Sequence, residues 1–180
     1  AAPGGKSTRL AEAMAGRGLL FCNEIRPDRA RVLIRNLELH GVPNPIVLSE
    51  DPDRIADRLP GYFDRVLVDA PCSGEGMFRR DRRAVSGWER FGPPRCAPMQ
   101  DAILRAADRM LRPGGILVYS TCTFTHEEDE GTVSRFLSAH PEYTLLPIPL
   151  YDGLSPGIAL PDEGGLPADL TGRTVRIWPH

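Results

Sequence analysis

Short apolar runs alternate along this chain with longer stretches of helical period, and that alternation restricts the fold more than any other feature. Leu19-Leu20-Phe21-Cys22, Pro45-Ile46-Val47-Leu48, Arg65-Val66-Leu67-Val68-Asp69 and Gly115-Ile116-Leu117-Val118-Tyr119 each read as a strand. Between them apolar residues recur three and four apart: Leu10, Ala13 and Met14 in 7–15; Ala30, Leu33, Ile34 and Leu37 after Pro27; Ile103, Leu104, Ala107 and Leu111 in 99–111. A weaker helix is expected over 54–59. Strands separated by helices pair in parallel through crossovers, so the expectation is α/β with a doubly wound, mostly parallel sheet. Continuous apolar strands further predict helices on both faces of that sheet.

The 180 residues, 41% hydrophobic and 26% charged, suffice for one globular core. A formal charge of -2 gives no global attraction to polyanions, so such a partner must be held by a local patch. No apolar run is long enough to span a bilayer and no leader opens the sequence, which gives the expectation of a cytoplasmic protein without a membrane partner. Cys22, Cys72, Cys96 and Cys122 lack C-x-x-C or zinc-type spacing, so neither metal nor a disulfide framework is expected. The chain opens on a turn and closes on a strand-like run, 174–178. It therefore reads as a core truncated at both ends, with 1–146 forming the core without its first strand and 147–180 a loop-rich segment leading into a final strand.

Open α/β sheets bind ligands at the carboxyl ends of their strands, and the residues there carry the candidate chemistry. Pro3-Gly4-Gly5-Lys6 precedes a helix N-terminus, where backbone amides approach a ligand, although a plain turn has the same composition. Glu24 ends the next strand, where an acid bonds ribose hydroxyls in dinucleotide-type sites. Asp51 ends the following one, as an adenine contact or as a solvated carboxylate. Gly5-Lys6-Ser7 is equally the tail of a Walker A motif, with Val66-Leu67-Val68-Asp69 as its Walker B strand. A P-loop nucleotide hydrolase thus competes, although Pro3 restricts such a loop and Cys72 and Cys122 are then left without a task. Those two thiols each follow a strand directly, whereas Cys22 and Cys96 read as small buried hydrophobes.

Ala1-Ala2-Pro3-Gly4-Gly5-Lys6, Asp69-Ala70-Pro71-Cys72-Ser73-Gly74 and Ser120-Thr121-Cys122-Thr123 resemble, in order and spacing, three motifs of the NOP/Sun family of RNA cytosine-5 methyltransferases. Gly74-Glu75-Gly76-Met77-Phe78 and Arg176-Ile177-Trp178-Pro179-His180 look like its bacterial RsmF-type branch, which acts on ribosomal RNA. The resemblance implies a Rossmann-like class I core that uses S-adenosyl-L-methionine. It implies Cys122 as the nucleophile that adds to cytosine carbon 6, and Cys72 as the group that assists adduct release. Asp69 would contact the cytosine ring, with Lys6 near the same centre. The cofactor would be held by Ala1, Ala2, Pro3, Gly4, Gly5, Lys6, Glu24, Asp51 and Asp69, with Glu24 at the ribose and Asp51 at the adenine.

Six arginines lie between Arg79 and Arg95 against Asp81 and Glu89, interleaved with Phe78, Trp88 and Phe91. Arginine with aromatic residues suits phosphate contact and base stacking on single-stranded RNA, whereas the alternative is a solvated loop with Trp88 packed inward. Ribosomal RNA is the expected partner, and the protein is expected to be monomeric. A non-catalytic RNA-binding remnant is the third reading. His40, His126, His140 and His180 are given no catalytic role. Thr125-His126-Glu127-Glu128 has capping-box order, so Glu128 is expected to reach back to the Thr125 amide at the start of a helix ending near His140.

Overall fold

The computed structural model describes residues 1–79, 82–159 and 166–178, without the side chains of 82, 83 and 91. Two compact units, Ala1–Pro60 and Gly61–His180, are described separately. Of the arginine-rich stretch, Arg80 and Asp81 lie outside the described residues, as do Pro179 and His180 at the chain end.

The first unit runs α1 (Gly5–Met14), β1 (Leu20–Asn23), α2 (Pro27–Leu39), β2 (Pro45–Leu48) and α3 (Pro52–Arg58). Pro27 at the start of α2 carries the φ that a helix needs, and Asp28 suits its positive end. Ala30, Leu33 and Leu37 form its buried stripe. β1 and β2 pair in parallel, Leu20 with Pro45 through Asn23 with Leu48. Cys22, Leu33 and Leu37 make the core, with Ala2, Leu20, Val42 and Val47 against it. Gly4 has φ 120, and a Cβ there would stand 3.0 Å from the Leu33 Cδ1.

The second unit begins with β3 (Phe63–Asp69), a 3₁₀ turn (Glu75–Met77), α4 (Arg82–Phe91), α5 (Pro93–Met110) and β4 (Leu111–Ser120). It ends with α6 (Glu130–Ala139), β5 (Leu154–Pro156), α7 (Ala168–Thr171) and β6 (Val175–Ile177). β3 and β4 are parallel, with Val66 opposite Leu117 and Asp69 opposite Ser120. Val68, Ala70, Leu104 and Ala107 form the core between this pair and α5, with Phe136 of α6 joining them.

Several expectations are corrected. The segment before Met99 is not a plain connection: α4 lies in it, and α5 starts at Pro93 and continues through Pro98. Prolines at the start of a helix cost no internal hydrogen bond, and Pro98 forgoes one that the buried face of α5 outweighs. Arg112-Pro113-Gly114-Gly115 is a bulge within β4, where the register jumps from Phe63–Leu111 to Arg65–Ile116. The capping box does not form, because Glu128 turns inward and α6 begins at Glu130. The aperiodic stretch after Pro147 contains β5 and α7, and β5 pairs antiparallel with β6. Finally, within the second unit Ile103, Leu104, Ala107 and Phe136 pack on the face of β3–β4 opposite to Leu67 and Val118, which are 36% and 45% exposed.

Leu33→Ala should lower the unfolding free energy by about 2–5 kcal/mol, read by urea denaturation, since Leu33 is fully buried. Gly4→Ala should also destabilise, through its positive φ and its contact with that same leucine. An unchanged midpoint in either variant contradicts this packing.

Candidate functional site

In the first unit the loop before α1 is tied to the ends of β1 and α2. The Ala2 amide donates to the Glu24 carboxylate at 3.1 Å, the Ala1 nitrogen at 3.2 Å and the Arg26 amide at 3.3 Å. Arg29 and Asn36 of α2 donate to the Ala2 and Pro3 carbonyls, both at 2.7 Å. Glu24 is buried, which raises its carboxyl, but the Ala2 and Arg26 amides outweigh this and hold it below the usual range. A loop amide facing a carboxylate is a poor phosphate cradle, which weighs against the Walker A reading. The same carboxylate accepts from hydroxyl donors, so the loop and Glu24 fit a ribose. Asp51 instead caps α3, accepting from the Asp53 amide at 2.9 Å. Lys6 lies exposed in the first turn of α1.

In the second unit the aligned ends of β3 and β4 bring the two thiols together. Cys72 Sγ lies 3.1 Å from Cys122 Sγ, and the Cys122 amide donates to Cys72 Sγ at 3.3 Å. Cys122 is exposed and Cys72 half-buried. The neighbouring Cys122 sulfur, and then burial, push the Cys72 thiol well up. Cys22 and Cys96 are buried core thiols, both pushed up by burial, as expected. Asp69 is exposed at the end of β3, where the Ser120 hydroxyl approaches it at 3.4 Å.

Buried polar groups that sequence reasoning missed hold the two thiol loops. Glu128 accepts from the Ser73 amide at 3.0 Å and from Gln100 Nε2 at 2.7 Å, and Gln100 Nε2 also donates to the Pro71 carbonyl at 2.9 Å. On the other loop, Thr121 Oγ1 donates to Asp129 at 2.5 Å, while Glu75 accepts from the Phe124 amide at 2.9 Å and from Thr123 Oγ1 at 3.0 Å. The Gly76 amide donates to the Cys122 carbonyl at 2.9 Å, and a Cβ at Gly76 would stand 2.8 Å from that oxygen. Arg176 of β6 pairs with Glu130 through two nitrogens and donates to the Phe124 carbonyl at 2.9 Å. Gln100 was the most legible of these. It is the one polar side chain in the stripe Cys96, Gln100, Leu104 and Ala107, where burial demands a partner.

A cavity of about 430 Å³ lies beside this loop, lined by Glu75, Gly76, Phe78, Arg79 and Phe124. Trp88 is 36% exposed, with its ring edge-on to Phe78 at 6.4 Å, so the alternative with Trp88 packed inward is not what forms. Arg79, Arg90 and Arg95 are exposed. Elsewhere Asp108, His140 and Glu142 converge within 4.8 Å, but His140 faces Glu142 at 3.3 Å and Tyr143 donates to Asp108 at 2.7 Å, so they pair among themselves. No helix among the described residues is long and apolar enough to cross a membrane.

A family model described as 16S rRNA methyltransferase RsmB/F matches residues 1–180. The chain belongs to the RsmB/F family. Ribosomal RNA small subunit methyltransferase F of Erwinia tasmaniensis is 42% identical over 142 residues, covering 79% of this chain and 30% of the relative. The same-named protein of Klebsiella pneumoniae is 39% identical over 168 residues, covering 92% and 35%. This RsmB/F chain thus spans about a third of the length of these relatives. Among solved structures, NSun6 from Pyrococcus horikoshii with SFG superposes with TM-score 0.72 at 32% identity, covering 88% of this chain and 39% of that one. A methyltransferase homolog protein from the same organism gives 0.74 at 30%, covering 96% and 52%. The fold is therefore the expected Rossmann-like methyltransferase class.

Burial, against the Thr121 hydroxyl and Arg176, raises the Asp129 carboxyl of this RsmB/F chain to about 6. A raised folded-state value means that the group stabilises most below its unfolded value and loses that contribution as pH rises through about 6, a change of about 3 kcal/mol. Asp129→Asn removes this dependence. Compared by urea denaturation, the variant should gain on the wild type between about pH 4 and about pH 7, and a constant difference would be inconsistent with a raised carboxyl.

Proposed function

We propose that this chain is the core of an S-adenosyl-L-methionine-dependent RNA cytosine-5 methyltransferase acting on ribosomal RNA, as a monomer in the cytoplasm. The observation that carries this reading is the contact of Cys72 with Cys122 at 3.1 Å at adjoining strand ends, in a chain of the RsmB/F family. Carbon 5 of cytosine is a poor nucleophile, so the ring must be activated first. Cys122, having lost its proton, adds as thiolate to carbon 6 and leaves an enamine whose carbon 5 is nucleophilic. The cofactor, when bound, supplies the methyl group that carbon 5 takes. The carbon 5 proton then goes to a base, the carbon 5–carbon 6 double bond re-forms, and the Cys122 thiolate is expelled.

In this reading the two thiols divide these events. Cys72 stays protonated while Cys122 is a free sulfur, because that neighbour is the largest influence raising it. Once Cys122 is a thioether, its sulfur no longer raises the Cys72 thiol, and burial is the raising cause that remains. In this reading the Cys72 thiol passes its own proton to solvent and, as thiolate, takes the carbon 5 proton when release requires a base. Asp69 stands at the same strand end to contact the cytosine ring, and Lys6 completes the centre in this reading. Ala1 to Lys6, Glu24, Asp51 and Asp69 would hold the cofactor, with Glu24 bonding the ribose hydroxyls. Asp51 offers the adenine only the carboxylate capacity that its helix cap leaves. The cavity walled by Phe78, Phe124 and Arg79 suits an unstacked RNA base and its phosphate.

In the full-length protein with ribosomal RNA and cofactor, Cys122→Ala should lower methylation on the order of 10³-fold or more and give no RNA adduct on a denaturing gel. Cys72→Ala should accumulate the adduct. The reverse pattern would exchange the two roles, and absence of an adduct in both variants would exclude the covalent route.

A further inference from the structure

We propose that Gln100 and Glu128 act as a positioning pair that holds Cys72 for adduct release, separately from the groups that hold Cys122. This rests on the reading of Cys72 as the release group.

Cys72 is fixed through the peptide groups on either side of it. The Pro71 carbonyl accepts from Gln100 Nε2 at 2.9 Å, and the Ser73 amide donates to Glu128 at 3.0 Å. Gln100 Nε2 and Glu128 are themselves joined at 2.7 Å, so the two grips form one unit. The Glu128 carboxylate and the Pro71 carbonyl only accept, which turns the Gln100 carboxamide nitrogen toward them, and the Thr132 hydroxyl lies 3.2 Å from the Oε1 end. Gln100, Glu128 and Thr132 are all fully buried, at 0% exposure.

Cys122 is held by other side chains. Asp129 takes the Thr121 hydroxyl, and Glu75 takes the Phe124 amide and the Thr123 hydroxyl. The two systems meet in a hydroxyl contact, Ser73 with Thr123 at 2.8 Å. Burying a carboxylate and a carboxamide is costly, and apolar residues of similar volume would fill the space at less cost. Stability therefore does not account for this pair, whereas the placement of one thiol does. The consequence is a separation of effects. Loosening the Gln100–Glu128 grip displaces the release group, and a displacement of about 1 Å costs on the order of 10²-fold in the step it serves. Addition by Cys122 and methyl transfer proceed before that step.

The test uses the full-length protein, ribosomal RNA and cofactor, with Cys72→Ala alongside as reference. Gln100→Met keeps volume while removing both donated bonds, and Glu128→Ala removes the acceptor. Each should leave single-turnover methyl transfer within a few-fold of wild type, lower steady-state turnover by on the order of 10²-fold, and accumulate the denaturant-stable RNA adduct. Glu128→Gln keeps an acceptor for the Ser73 amide and should recover most of the turnover that Glu128→Ala loses. Should Glu128→Ala fail to fold by circular dichroism, Gln100→Met carries the test. If Cys72→Ala accumulates adduct while the folded variants lose single-turnover and steady-state rates together without adduct, the positioning role is overturned and the pair is merely structural. If Cys72→Ala itself gives no adduct, the reading of Cys72 as release group fails, and this proposal with it.

Discussion

A carboxylate with no access to water governs the second unit. Glu128 is fully buried, and its oxygens are reached by the Ser73 amide and the Gln100 carboxamide. Its own carbonyl accepts from the Tyr119 hydroxyl at 2.6 Å. An unmatched charge in that position costs several kcal/mol, so the loop after β3 and helix α5 are constrained to supply donors to it. The Cys72 side of the strand-end crevice is shaped by that requirement, which holds the loop of Cys72 where its sulfur meets that of Cys122.

A second ionic centre closes the other side of the site. Arg176 lies on the last strand, yet its guanidinium meets Glu130 and Asp129 at the start of α6 and the Phe124 carbonyl just after Cys122. Burial disfavours the Arg176 charge, but Glu130 outweighs this and holds it firmly protonated. Glu130 is likewise held low by that arginine against the effect of burial. Trp178 continues the support, stacking on Phe124 with ring centroids 5.4 Å apart and donating to Ser155 of β5. Arg176 and Trp178 thus brace the loop that carries Cys122 from more than fifty positions along the chain.

The strands and most helices were legible because their signals are local. Apolar runs fixed β1 to β4 to within a few residues, and Pro27 marked the start of α2. The thiol pair was legible too, since strand ends in a parallel pair fall side by side whenever the register is even. What resisted reading was the use of acidic residues. Glu127 to Glu130 look like a solvated helix start, and a capping box is the local solution for Glu128. Tertiary donors from Ser73 and Gln100 offer a better one, and they lie 55 and 28 positions away in sequence, where no periodicity reports them. Trp88 separates the two readings of the arginine-rich stretch. Its size argues for burial, but α4 presents it at the surface, edge-on to Phe78.

Helix α5 joins the apolar core to the polar frame. Leu104 and Ala107 pack under Val68 and Ala70, and Gln100 lies one turn earlier on the same stripe. At 3.6 residues per turn, the rotation that seats the two apolar side chains also aims the carboxamide at Pro71 and Glu128. Hydrophobic burial, which has no direction of its own, thereby fixes the angle at which a directional group meets the Cys72 loop. The contact of two sulfurs at 3.1 Å therefore depends on packing two turns away as much as on the strand register, and a core that repacked loosely would disturb the thiols before it unfolded the chain.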